Sequence, residues 1–283
     1  MRITSAGSLV TFDDLVPVVA GEGCVADAGD ATVAVCDLGA SPAAEPIVVR
    51  LHDGDDTVVN DSAFRMFARG GAGNDTITGG QDRDALVGDD GDDRLSGRGG
   101  DDHLQGDLGD DLLDGGDGDD GLYGNEGDNT VRGGAGDDTI GNELWAPDLT
   151  PGTDTLDGGP GRDQVSYAGS RIVPIRVDLT AGTGGEAGEN DTLIGVEDVL
   201  GGQGDDVLIG NGDDNLLAGN SGQDLIYGKG GDDMLLAQGG EDLLDGGANR
   251  TETGDVCETG ENAATTVDCE RVIREGAFPT PTP

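Results

Sequence analysis

The chain reads as an all-β solenoid, a coil of short stacked strands rather than a globule built around one broad interior. Three observations lead there. A period of nine residues runs through the middle of the sequence, glycine supplies 55 of 283 residues, and 59 acids against 15 Lys and Arg leave a formal net charge of −44. Aromatic residues make up 3%, too little bulk for a conventional core in a chain of this length. No apolar run approaches the roughly 18 residues of a membrane span. The negative charge repels phosphate, so neither nucleic acid nor an anionic membrane surface is expected as a partner.

The repeat comes first because missing it would misassign the fold. Eight nine-residue units follow without a gap over 70–141, from GGAGNDTIT to GGAGDDTIG. Five more fill 201–245, from GGQGDDVLI to AQGGEDLLD. Two lie at 149–166 (LTPGTDTLD, GGPGRDQVS), one at 51–59 (LHDGDDTVV) and a degenerate one at 186–194 (EAGENDTLI). Of these 17 units, column 4 is Gly in 14, column 6 is Asp in 15, and column 8 is always Val, Ile or Leu. Glycine in columns 1, 2 and 4 permits tight turning, and the Asp or Asn that replaces it in column 2 (Asp89, Asp107, Asn125, Asn211, Asn220) tolerates the left-handed region. Columns 7 to 9 read as a strand whose middle side chain points inward. One unit cannot bury its single apolar side chain, but a stack of units can.

Two units make one coil, so units n and n+2 lie on the same edge, about 4.8 Å apart. Aspartates stacked at that spacing repel, and no column of Lys or Arg recurs to neutralise them. A hard divalent cation would. Calcium takes 6–8 oxygens in irregular geometry and accepts carboxylates together with the carbonyls that glycine-rich turns expose; magnesium demands a stricter octahedron.

The units fit GGxGxDxUx, and over 51–245 the chain resembles the haemolysin-type (RTX) calcium-binding repeat family. The resemblance implies a right-handed parallel β-roll. It also implies ions lying between the turns of units n and n+2, each held by a carboxylate from both units and by turn carbonyls. The eight-unit run then offers six sites: Asp75/Asp93, Asp84/Asp102, Asp93/Asp111, Asp102/Asp120, Asp111/Asn129 and Asp120/Asp138. The five-unit run offers three: Asp205/Asp224, Asn215/Asp233 and Asp224/Asp242. Asp56, Asp154 and Asp163 complete the candidate ligands. Asn129 and Asn215 keep an oxygen but lose the charge, so weaker sites are expected there. Asp82 and Asp213 replace the column-4 Gly. Glu189 does so in the unit at 186–194, where no site is expected. The acids of column 5, such as Asp92 and Asp110, read as solvated turn charge.

Four cysteines stand outside the repeats in two local pairs, Cys24/Cys36 and Cys257/Cys269, with the same spacing in each pair. No CxxC occurs, so two disulfides are expected rather than a zinc site. The organisation expected is an N-terminal β cap at 1–50, repeats at 51–141, an interrupted stretch at 142–200, repeats at 201–245, a C-terminal cap at 246–274 and a Pro/Thr tail at 275–283. Each cap is stapled by one disulfide. Met1 to Val10 lacks a charged-then-apolar leader, which suggests a mature chain or a domain of a longer one. Two insertions break the phase. Residues 142–148 hold the only Trp, read as covering a coil edge, and 167–185 contain a strand in which Ile175, Val177 and Leu179 alternate with polar residues. The outward columns of 201–245 are apolar (Val207, Leu225, Leu216, Met234, Leu236), and either the cap or the 167–185 insertion is expected to cover them.

No catalytic constellation emerges. His52 and His103 are the only histidines, and HExxH, GxSxG and the P-loop pattern are absent. The chain is therefore read as a non-enzyme: a secreted, extracellular or cell-surface calcium-binding module that folds on loading several Ca2+ ions. The alternatives are a calcium-dependent adhesin using the apolar faces of 201–245, and a non-catalytic region of a larger secreted enzyme. Ice binding would want a regular outward Thr ladder, which is missing.

Overall fold

The computed structural model describes residues 1–6, 9–13, 24–26, 33–37, 46–141, 152–168, 172–249, 251, 254–260 and 264–274, with the backbone alone over 5–37. The Trp-containing insertion at 142–148, the tail at 275–283 and the side chains of Cys24 and Cys36 lie outside the described residues. Every regular element among the described residues is a β-strand, so no helix there could cross a membrane. The fold is a parallel β-solenoid, and it divides into two compact units, Met1–Asp138 and Thr139–Pro283.

In the first unit the chain alternates between two parallel sheets. One is built from Thr57–Asp61, Thr76–Thr78, Arg94–Gly99, Leu112–Asp117 and Thr130–Ala135. The other is built from Ile47–Asp53, Met66–Ala72, Ala85–Asp90, His103–Leu108 and Gly121–Glu126. Register fixes the coil. Ile77 lies opposite Leu95, Leu95 opposite Leu113, and Leu113 opposite Val131, so each step advances the chain by two nonapeptide units. The period-two alternation of each short strand turns these column-8 side chains inward. Ile77, Leu86, Leu104, Leu113, Leu122 and Val131 are all fully buried, each worth roughly 1.5–3 kcal/mol of apolar burial. The sharp turn between strands needs a left-handed residue. Gly91 has φ 139°, and a Cβ there would run into the carbonyl of Gly73 one coil away. Column 2 is left-handed at Asp89, Asp107, Asn125 and Asn220 as expected and also at Arg98, but not at Asn211.

Residues ahead of this roll form an antiparallel set. Arg2–Ala6 pairs with Leu9–Asp13, which pairs with Val33–Asp37, which pairs with Cys24–Ala26. Cys24 stands opposite Cys36 in that register. Arg2–Ala6 also adds in parallel to Thr57–Asp61, which occupies an edge that would otherwise present unpaired backbone groups.

The second unit repeats the plan with interruptions. One sheet runs through Thr139–Gly141, Gln164–Ser166, Asp198–Leu200, Leu216–Ala218, Met234–Leu236, Val256–Thr259 and Arg271–Arg274. In the other, the 167–185 insertion becomes a hairpin inside the sheet. Arg176–Asp178 pairs antiparallel with Thr183–Gly184, which pairs antiparallel with Asp191–Ile194. Asp191–Ile194 is parallel to Thr155–Asp157, and Arg176–Asp178 is parallel to Val207–Ile209. The sheet continues through Leu225–Gly230, Leu243–Ala248 and Thr265–Val267. Ile175 and Val177 are buried as the alternation requires. Among the described residues, the insertion thus sits within its sheet, while Val256–Thr259, Thr265–Val267 and Arg271–Arg274 extend the sheets beyond the repeats. Leu225 and Met234 stay exposed, each at 39%, whereas Ile209 and Ala218 are buried. One disulfide joins Cys257 and Cys269.

Candidate metal centre

The acids of column 6 form buried rows. Each carries one oxygen that is satisfied and, in most, one that is not. The backbone N–H of Asp75 donates to Oδ1 of Asp93 at 2.7 Å, that of Asp93 to Asp111 at 2.8 Å, and that of Asp111 to Asn129 at 2.9 Å. On the other edge the N–H of Asp84 donates to Asp102 at 2.6 Å, Asp102 to Asp120 at 2.7 Å, and Asp120 to Asp138 at 2.8 Å. The N–H of Asp56, which is half-buried, donates to Asp75 at 2.8 Å. The second oxygen, Oδ2, of Asp75, Asp93, Asp102, Asp111 and Asp120 is buried and meets no hydrogen-bond donor of the protein.

Those Oδ2 atoms point into notches kept open by column-1 glycines. A Cβ on Gly97 would collide with Oδ2 of Asp102 and stand 2.6 Å from the carbonyl oxygen of Gly115. Gly70, Gly88, Gly106 and Gly115 repeat the arrangement with Asp75, Asp93, Asp111 and Asp120. Each notch is thus walled by a carboxylate oxygen and a carbonyl oxygen of the next coil. Two facing acceptors with no proton between them leave a buried group uncompensated, which costs several kcal/mol unless a cation joins them. Burial, reinforced by the neighbouring acids, pushes Asp102 and Asp111 up to about 8, and Asp93 and Asp120 to about 6. An all-oxygen donor set of carboxylates and backbone carbonyls matches calcium, and the residues present fit that ion.

The second unit has the same rows. The N–H of Asp206 donates to Asp224 at 2.9 Å and that of Asp224 to Asp242 at 2.9 Å. The N–H of Asn215 donates to Asp233 and that of Asp233 to Asp255, both at 2.8 Å. Oδ2 of Asp224, Asp233 and Asp242 again meets no donor. Asp205 is corrected here. It is exposed, and its Oδ1 accepts the N–H of Gln223, a column-5 contact. Asp206, 1% exposed, occupies the row instead, because GGQGDDVLI counted from Gly201 puts Asp206 sixth.

Column 5 is a ladder of its own. The N–H of Asp110 donates back to Asp92, and that of Asp128 to Asp110. These exposed carboxylates reach forward to the next coil, while the buried ones reach backward to the previous coil.

Two rungs use an amide. Asn129 donates its Nδ2–H to the carbonyls of Asn125 at 3.3 Å and Gly127 at 3.1 Å. Asn215 donates to the carbonyl of Glu197 at 2.7 Å and accepts from the N–H of Asn211 at 2.9 Å. Two more rungs, Asp84 and Asp206, accept a backbone N–H on Oδ2 from Gly80 and Gly202.

The interrupted stretch continues the rows and holds one rung, Glu197, that the nine-residue count misses. The N–H of Asp163 donates to Glu197 at 2.9 Å, placing the spacer 195–200 in the stack with Val199 fully buried. The N–H of Asp154 donates to Asp191 at 3.0 Å, and the Tyr167 hydroxyl donates to Asp191 Oδ2 at 2.9 Å. Asp154, Glu189 and Asp191, all buried, bring a carboxylate oxygen each to within 4.8 Å of one another. Glu189, whose replacement of the column-4 Gly argued against a site, is therefore brought together with two acids of the rows. The nine-residue count places Asp191 in column 6 of 186–194, while only the pattern of an acid two positions before a buried aliphatic, Glu197/Val199, could have signalled Glu197.

Stacked strands, one buried aliphatic column and rows of inward carboxylates facing carbonyls define a β-solenoid whose interior offers oxygen ligands to cations beside its apolar contacts. A family model described as the RTX calcium-binding nonapeptide repeat matches residues 67–95, 87–122, 123–140, 150–166, 191–226, 200–235 and 218–250. These segments cover more than half of the chain, and the chain belongs to that family, whose repeats bind Ca2+. No curated protein matches it.

Proposed function

We propose that the chain is a calcium-loaded structural module whose folding is driven by filling the column-6 rows. The ligands in this reading are the Oδ2 oxygens of Asp75, Asp93, Asp102, Asp111, Asp120, Asp224, Asp233 and Asp242, with Asp56, Asp84, Asp138, Asp154 and Asp163 extending the rows. Column-1 carbonyls complete each site. The observation that carries it is the repeated glycine notch with a donor-less buried carboxylate on one side and a carbonyl on the other. A net charge of −44 and a core one aliphatic wide leave the metal-free chain little to fold with.

The family's repeats are typical of secreted proteins, and extracellular calcium modules commonly bind with Kd near 10⁻⁴–10⁻³ M. A secreted or cell-surface setting supplies such concentrations and the cytosol does not, so the module is read as folding outside the cell. An oxidising setting also suits the Cys257–Cys269 disulfide and the Cys24–Cys36 bridge proposed from their register. No catalytic role is assigned. The exposed Leu225 and Met234 favour a second use, attachment to a protein or surface partner through the 201–245 faces. Circular dichroism during calcium titration of chelator-stripped protein tests the primary reading. Strand signal that appears with calcium supports it, and a signal indifferent to chelation removes it.

A further inference from the structure

The acid row continues beyond the nonapeptides. Asp255 follows Asp233 in the stack, and its N–H is shared between Oδ1 of Asn249 at 2.9 Å and Oε2 of Glu270 at 3.0 Å. Val256 and Cys257 then take the places of columns 7 and 8. Cys257 lies opposite Leu235 and is fully buried. The chain between Leu235 and Cys257 is longer than the regular two-unit coil, which conceals the rung from any count by nines.

Asp255 itself is 0% exposed, and its Oδ2 meets no hydrogen-bond donor. It points into the notch at Gly246, where a Cβ would collide both with that Oδ2 and with the carbonyl oxygen of Asp268. The strongest charge effects on Asp255 come from acids: Glu270, Asp232 and Asp245. This is the oxygen-walled arrangement of the repeats rebuilt from a different sequence. Asp255 lies two positions before Cys257 and Asp268 one before Cys269, so the disulfide ties together the two strands of chain that bring the oxygens.

We propose that Asp255 Oδ2 and the Asp268 carbonyl, at the Gly246 notch, form a further calcium site outside the nonapeptide repeats, held in shape by the Cys257–Cys269 disulfide. It rests on the reading of the rows as cation sites, and its test separates the two. Native mass spectrometry of the full chain titrated with Ca2+ counts ions in the wild type and in Asp255→Asn. The expected result is one ion fewer in the variant with the remaining count intact. The Cys257→Ser/Cys269→Ser chain is expected to bind the same last ion at least tenfold more weakly. An unchanged count in Asp255→Asn overturns the site, and unchanged affinity in the serine pair overturns the role of the disulfide. A wild type that binds no calcium overturns the proposed function as well. Should Asp255→Asn fail to fold, anomalous scattering from Tb3+ in crystals of the wild type decides. Density touching Asp255 Oδ2 and the Asp268 carbonyl supports the site, and none there, with the repeat rows filled, refutes it.

Discussion

The backbone N–H of Asp102 donates to Oδ1 of Asp120, one coil onward, at 2.7 Å, and Oδ2 of Asp120 is left buried without a donor. In the proposed reading one carboxylate thus has two tasks: one oxygen registers the coils and the other is left for a cation. The two tasks respond differently to substitution. Asp111→Asn keeps an Oδ1 acceptor and removes a charge. It is expected to lose one bound ion while retaining the strand stack. At a calcium concentration about 100 times Kd, one lost site lowers stability by roughly 2.7 kcal/mol. Thermal melting with and without calcium measures it, and in chelator the sign should reverse, because the variant no longer buries an uncompensated carboxylate.

Asn129 offers the converse. Its amide already donates to the carbonyls of Asn125 and Gly127, which supplies hydrogens where other rungs need an ion. Asn129→Asp should add one calcium to the count and raise stability in calcium, while lowering it in chelator. Native mass spectrometry and melting of the same samples would show both signs.

The glycine notches separate space from conformation. Gly97→Ala places a methyl against Oδ2 of Asp102 and the carbonyl of Gly115. A loss of about 1–3 kcal/mol from overpacking is expected, together with loss of one ion. A Cβ on Gly212 meets nothing within 4 Å, so Gly212→Ala should leave calcium stoichiometry and melting unchanged.

Acidity works in opposite directions on the two states. Without calcium, burial raises Asp102 and Asp111 to about 8 and Asp224 to about 7, from 3.8. A carboxyl raised in the folded state contributes stability that is present below about pH 4 and is lost as pH climbs through about 6 to 8. Protein stripped of metal by chelating resin should therefore gain strand signal on acidification from pH 8 toward 4. The loaded protein should need more calcium as pH falls, because protons compete for the same oxygens. Circular dichroism at several pH values reads both trends.

The aliphatic column can be tested independently of metal. Leu113 is fully buried between Leu95 and Val131. Leu113→Ala should cost about 2–5 kcal/mol without changing the number of ions bound at saturation, as calorimetric melting and mass spectrometry would record.

The nine-residue columns made the coil and most of the rows legible, because the strand triplet and the two-unit register follow from where Asp and the aliphatic stand. The column register of GGQGDDVLI already puts Asp206, not Asp205, in the buried row. Elsewhere legibility failed for two physical reasons. Corners of altered length hid Glu197 and Asp255, whose strands keep register while their turns do not. The hairpin at Arg176–Asp178 and Thr183–Gly184 inverts chain direction inside a parallel sheet, and its alternation announced a strand without stating its sense.

Val165 lies opposite Val199, and Leu235 opposite Cys257, and in both pairs the intervening chain is longer than the loop that joins Leu95 to Leu113 in the regular stack. The straight segments in these places hold their alignment, while the excess goes into the bend before Cys257 and, between Val165 and Val199, into the hairpin of the opposite sheet. A scaffold built so can accept new peptide at its corners and carry fresh surface there without disturbing the layers above or below, so decoration and framework are free to diverge at different rates.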